Sequence, residues 1–298
     1  MELSEDDWEY LIDQIKDKKC TPFVGPEICS KNFFTDKDIA QKWAKEYDYP
    51  LDEPSQLSRI AQFLKIQEKR PAYHIKKEIQ SQNMSYFDLS EYNNSPYDIL
   101  ARLNLPIYIS TNYDEFMEQA LKKRGKEPIS EFCGWNDALH KAIKNSENPS
   151  TLNKTYSPTV AKPLVYHLYG TVADTKSIVL TEQDYFDFLI YLTKESDHVL
   201  PAIIRRALSE NTYLFVGYRL EDSNFLAMFK IITTIVDKLK RDDEEGSIAV
   251  QFTSILNQDK EKMIQDYLNK YTNELFKIRS HWGNVDIFLK KLSSRMWG

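Results

Sequence analysis

Four short stretches of this chain carry residue types able to grip a polar ligand and act on it. Thr111-Asn112-Tyr113-Asp114 offers a neutral amide that can hold a hydroxyl and a carboxylate that can cap a helix. His167-Leu168-Tyr169-Gly170 offers an imidazole, the side chain best poised for proton transfer near neutrality, two residues ahead of a phenol. Gly25-Pro26-Glu27 and Gly217-Tyr218 add glycines at which backbone can approach a bound group closely or turn with positive φ. Each also has a plain structural reading. Asn112 and Asp114 serve equally well as helix caps, a strand histidine is commonly a hydrogen-bonded core residue, and a glycine after a strand is commonly a turn.

Position makes these stretches a set. Each ends an apolar run rich in β-branched and aromatic residues: TPFVG at 21–25, PIYIS at 106–110, PLVYHLY at 163–169 and TYLFVG at 212–217, with SIAVQF at 247–252 and a weaker LFKIR at 275–279 following. Helical patterns separate the runs, which is how strands buried on both faces of a parallel sheet read. The expected architecture is therefore α/β, an open, mostly parallel sheet with helices on both faces. In such sheets ligands lie beyond the carboxyl ends of the strands, so the segments converge on one nucleotide pocket.

The helices announce themselves. Thr181 precedes EQDYFDFLIYL with acids in the first turn, and Asp222 precedes SNFLAMFKIITTIVDKLK, whose Phe225, Phe229, Ile232 and Val236 recur at helical spacing. Residues 33–100 interrupt the alternation with Ile39, Trp43 and Tyr47, then Leu57, Ile60, Ala61 and Leu64, and predict a helical module inserted after the first strand. The expected organisation is one domain over 1–298 with this insert and a C-terminal α/β extension at about 255–298. The stretch 143–162 reads as a polar loop, and Arg241 to Gly246 as a solvated acidic loop.

Composition excludes several classes. The formal net charge of −6 has the wrong sign for neutralising phosphates along a duplex, so direct nucleic-acid binding is not expected. No apolar run is long enough to span a bilayer, and the charged, helix-patterned N-terminus predicts neither secretion nor membrane insertion. Three cysteines, Cys20, Cys29 and Cys133, form no C-x-x-C pair, so neither a disulfide scaffold nor a four-cysteine zinc ribbon is expected, and a reducing, cytoplasmic setting follows. Tyr47, Tyr49 and Trp282 fit an interface or a core.

In order, the segments FVGPEIC, STNYD, VYHLYG and VGYRLEDSNF resemble the phosphate loop, Thr-Asn-Tyr-Asp, Leu-His-Gly and Gly-x-x-Leu-x-Asp-x-Asn motifs of the sirtuin-like family, in the zinc-free branch found in bacterial anti-phage defence systems. The resemblance spans roughly residues 20–255. It implies a Rossmann-like sheet that takes NAD as substrate without zinc, cleavage of the nicotinamide–ribose bond, and defence by NAD depletion. It also implies a homo-oligomer and a partner such as a HerA-type hexameric ATPase or another sensor protein. By motif position, Gly25, with Pro26 and Glu27, would meet the pyrophosphate, Thr111 and Asn112 the nicotinamide ribose, and Asp114 would order the loop. Gly217 and Tyr218 would lie under the dinucleotide, and Asp222 and Asn224 would close the adenosine side.

The chain departs from the pattern twice. Glu27 stands where the loop's second glycine belongs and sets a carboxylate against a diphosphate, and Tyr169 stands where the family's catalytic histidine belongs. Three outcomes follow for the chemistry. His167 takes over from the same strand face, Tyr169 acts with a lowered pKa, or turnover is slow or absent and the site only senses NAD or ADP-ribose.

Overall fold

The computed structural model describes residues 3–28, 35–52, 54–83, 93–145, 156–219, 222–237, 248–252 and 261–298. Cys29, Leu220 and Glu221 of the motifs, half of the polar loop (146–155), and the acidic loop lie outside them. In chain order the elements are α1 (Glu5–Lys16), β1 (Cys20–Val24), α2 (Asp36–Glu46), α3 (Leu57–Ile66), α4 (Ala72–Asn83), α5 (Pro96–Arg102), β2 (Ile107–Ser110), α6 (Phe116–Lys123), β3 (Ile129–Phe132) and α7 (Asp137–Asn145). They continue with β4 (Leu164–His167), α8 (Glu182–Lys194), α9 (Ser196–Val199), α10 (Ala202–Glu210), β5 (Thr212–Tyr218), α11 (Ser223–Asp237), β6 (Ile248–Phe252), α12 (Glu261–Phe276), β7 (Ile278–Trp282) and α13 (Val285–Trp297).

The strands form one Rossmann-like sheet in the order β3-β4-β2-β1-β5-β6-β7, with every pairing parallel. Alternation along each strand sorts its side chains to two layers. Phe23, Ile109, Tyr166 and Phe215 face a core shared with α8, α10 and α11, whereas Val24, Tyr108, Val165 and Val216 face one shared with α1, α5, α6 and α13. Both faces are covered, which is why the strands read as continuous apolar runs.

The segment between β1 and β2 is helical and builds a third core from Ile39, Trp43, Ile60, Leu64, Ile75 and Ile79. That core leans on the sheet through Tyr113, Val172, Ile178 and Leu180, from the loops after β2 and β4. Capping boxes fix two of the helices that matter below: Thr35 with Asp38 starts α2, and Thr181 with Asp184 starts α8. Tyr47 and Tyr49 pack against the third core and Trp282 against the first, so these aromatics belong to cores.

Two expectations shift. A short edge strand, β3, pairs outside β4, and β7 begins at Ile278, where a left-handed Lys277 (φ 57) separates it from the end of α12.

Candidate active site

In strand order, β1 has β2 on one side and β5 on the other, so the chain changes direction across the sheet between β1 and β5. A crevice opens at the carboxyl ends of strands at such a switch point. A cleft of about 510 Å³ lies there, within the range of small-molecule sites. Its walls include Pro26 and Glu27 after β1, Thr111 and Tyr113 after β2, Tyr169 after β4, and Tyr218 with Arg219 at the end of β5. Asp222 and Asn224 at the start of α11 complete one side, and α2 and α3 of the insert face them with Asp36, Lys37 and Arg59.

The two glycines of the motifs act on each other. Gly25 N–H donates to the Val216 carbonyl, Glu27 N–H to the Gly217 carbonyl, and a Cβ on Gly25 would lie 2.6 Å from that carbonyl oxygen. Gly217 (φ +80) is equally constrained, since a Cβ there would sit 2.4 Å from the Ile28 nitrogen. The bare faces of Gly25 and Gly217 are filled by the crossing of the β1 loop over β5, and neither residue lines the cleft. The β5–β6 register is irregular between Phe215 and Tyr218. The irregularity turns Tyr218 away from the layer of Val216 and onto Phe215 and Phe225, as a bulge does. There its hydroxyl meets Thr111 Oγ1 at 2.9 Å and the Val24 carbonyl at 3.2 Å, tying three strand ends together.

Glu27 is not a bare charge. Its Oε1 lies 2.5 Å from Arg219 Nε, so the cleft meets an ion pair of opposite charges rather than a lone carboxylate. The repulsion expected between Glu27 and a diphosphate is offset at its source.

Asn112 and His167 are adjacent, yet their side chains do not meet in the cleft. Asn112 Nδ2 donates to the Tyr97 hydroxyl at 3.2 Å, and its Oδ1 is buried without a partner among the described residues. The His167 ring is fully buried on the α6 side, with Nε2 2.7 Å from Glu118 Oε1 and Nδ1 3.2 Å from the Asn112 carbonyl. Both ring nitrogens face oxygen atoms, an arrangement that favours the imidazolium form. Burial alone would lower its pKa, but Glu118 outweighs burial and holds it raised; burial likewise works against the Glu118 charge, and His167 holds its pKa lowered. A base must have a free lone pair. In this structure His167 is held in a buried pair with Glu118 and braces the Asn112 backbone.

The expectation that His167 and Tyr169 share a sheet face fails for a related reason. β4 ends at His167, and the chain then turns, carrying Tyr169 to the opposite layer against Tyr185 and Phe188. Tyr169 does line the cleft. Burial, followed by the neighbouring Tyr185 and Asp222, pushes its pKa well above the ordinary phenol value, the reverse of activation. It can donate a hydrogen bond and cannot serve as a base near neutrality. Asp114 and Asn224 divide similarly: Asp114 Oδ1 accepts from Phe116 N–H to start α6 and lies off the cleft wall, while Asn224 lies on it. Asp222 Oδ1 accepts from the N–H groups of Asn224 and Phe225 and caps α11 from the cleft edge.

Sequence reading missed Arg219, Asp36, Lys37 and Arg59. Arg219 lay one residue beyond Tyr218 in a quoted motif and carried a readable signal; the others come from the insert and had none. Among the described residues no group of three or more His, Cys, Asp or Glu side chains is arranged to hold a metal ion, and no helix is long and apolar enough to cross a membrane.

The chain matches the family model described as SIR2-like domain over residues 106–276, more than half its length. It is similar to an NAD(+) hydrolase ThsA of Cytobacillus dafuensis, 22% identical over 201 residues, which is 67% of this chain and 35% of that protein. It is also similar to an NAD(+) hydrolase ThsA of Enterococcus faecium, 26% identical over 143 residues, 48% of this chain and 26% of that protein. The chain thus spans well under half the length of either curated relative.

Proposed function

The chain belongs to the SIR2-like domain family, and on that footing we propose that it is an NAD glycohydrolase, releasing nicotinamide and ADP-ribose. The observation that carries this reading is the cleft at the β1/β5 switch point, where the Glu27–Arg219 ion pair flanks the β1 turn and Asn112, with an unsatisfied buried Oδ1, stands directly behind the Thr111–Tyr113 wall. Arg219, Pro26 and Glu27 would meet the diphosphate, and Thr111 and Asn112 the nicotinamide ribose. Tyr218 would lie beneath the dinucleotide, and Asp222 and Asn224 would close the adenosine side. The names of the two relatives support the reaction. We further propose that it acts in the bacterial cytoplasm, without zinc, as an anti-phage factor that depletes NAD, as a homo-oligomer working with a HerA-type ATPase or another sensor protein.

The test is nicotinamide release from NAD by purified protein, alone and with its genomic neighbour. Wild type is expected to release it and Asn112→Ala to lose it while keeping its circular dichroism spectrum; a folded Asn112→Ala protein with wild-type turnover would end the assignment. Tyr169 favours a second reading, a subunit that binds NAD or ADP-ribose without turnover, because a protonated phenol occupies the family's histidine position. In that case wild type binds ADP-ribose and releases nothing, and Tyr169→His creates activity.

A further inference from the structure

Among the described residues four carboxylates line the cleft, and three are committed. Glu27 is paired with Arg219, Glu182 with Arg59, and Asp222 with the first N–H groups of α11. The fourth, Asp36, has no hydrogen bond or ion pair from another described side chain. It is the first residue of α2, and the Thr35–Asp38 capping box immediately around it fixes the helix start that presents it. It lines the same cleft as Thr111 and Tyr113, the two residues of the β2 loop that flank Asn112.

Among the described residues, the other side chains of this region that could accept a proton are set aside by their surroundings. The phenols of Tyr113, Tyr169, Tyr185 and Tyr218 are held protonated by burial, and both His167 nitrogens already face oxygen atoms. Resting on the hydrolase reading above, we infer that Asp36 is the general base, accepting the proton of the water that attacks the nicotinamide ribose. As the glycosidic bond breaks, its electron pair passes to the pyridinium nitrogen and nicotinamide leaves neutral. The water oxygen bonds to the anomeric carbon, and its proton moves to the Asp36 carboxylate and on to solvent, giving ADP-ribose. Burial lifts the Asp36 carboxyl to about 6, so near neutral pH it is ionised and still basic enough to take a proton. The base is thus supplied by the insert, and it takes over the task of the family's histidine, whose position Tyr169 occupies.

The experiment measures nicotinamide release and ADP-ribose binding by calorimetry for wild type, Asp36→Asn and Asp36→Ala of the full chain. Turnover by Asp36→Asn should fall on the order of 10²-fold or more, with ADP-ribose affinity held within about twofold. Added formate, a small carboxylate able to enter the vacated space, should restore turnover of Asp36→Ala. If wild type turns over and Asp36→Asn stays within about threefold of it, the inference is overturned while the hydrolase reading survives. A wild type that binds ADP-ribose but releases no nicotinamide removes both.

Discussion

Replacing Glu118 by Gln separates a structural role for His167 from a chemical one. The two side chains are 3% and 1% exposed, their contact is 2.7 Å, and Ser130 Oγ donates to the same carboxylate oxygen at 2.6 Å. Removing one partner of so buried a pair strands the other, at a cost of about 3–5 kcal/mol. With roughly 2 cal/mol/K per residue of unfolding entropy, 298 residues give on the order of 0.6 kcal/mol/K, so Glu118→Gln should lower Tm by about 5–8 °C. The pH dependence has a definite sign. The lowered Glu118 pKa contributes stability above that group's ordinary value of 4.5 and loses it as pH falls through the folded value. The raised His167 pKa contributes below its ordinary 6.5 and loses it as pH rises through the folded value. The Tm gap between wild type and Glu118→Gln should therefore be widest between these two pH values and narrow on either side. Thermal melts followed by circular dichroism from pH 4 to 9 measure it, and Glu118→Met combined with His167→Met should recover part of the loss because no charge is left buried. An unchanged Tm across that range, together with a fully folded His167→Gln protein that has lost nicotinamide release, would refute the structural role and return the imidazole to the chemistry.

Other perturbations probe the cleft wall. Gly217→Ala forces a Cβ into the Ile28 backbone at a φ of +80 and should destabilise by about 1–3 kcal/mol in urea unfolding; no change would mean that the loop is not braced on β5. Arg219→Ala exposes the Glu27 carboxylate to substrate and should raise KM for NAD on the order of tenfold, with Glu27→Gln in the same chain reversing the loss. If Arg219→Ala leaves KM unchanged, the diphosphate does not lie there. Tyr169→Phe keeps the ring packing and should hold turnover within about threefold, whereas the loss of a true base would cost about 10²–10⁴-fold.

The sheet was legible because buried parallel strands leave continuous apolar runs, and PIYIS, PLVYHLY and TYLFVG fall on β2, β4 and β5. β3 was not, since Ile-Ser-Glu-Phe is a half-exposed edge segment whose pairing to β4 is a long-range fact with no local pattern. Within the site, the cap at Asp222 was readable from the residues that follow it. The partner of His167 was not readable because Glu118 is 49 positions away, and the layer of Tyr169 was misread because period-two alternation was carried past a strand that stops. Asp36 was invisible for a third reason: its meaning depends on where the insert folds back, which spacing in the chain does not encode.

The third core bears on how the protein would fail. Asp36 and Arg59 reach the cleft from helices whose buried side chains pack mainly with one another, with Tyr113, Val172, Ile178 and Leu180 as apolar contacts to the rest of the molecule and the Arg59–Glu182 and Lys76–Asp184 ion pairs as polar ties to α8. Mild heat or denaturant can loosen such a flap while the seven-stranded sheet beneath holds. Catalysis would then fade at a lower temperature than the global melt, and variants selected for hardiness would accumulate changes between residues 36 and 83 before any in the strands.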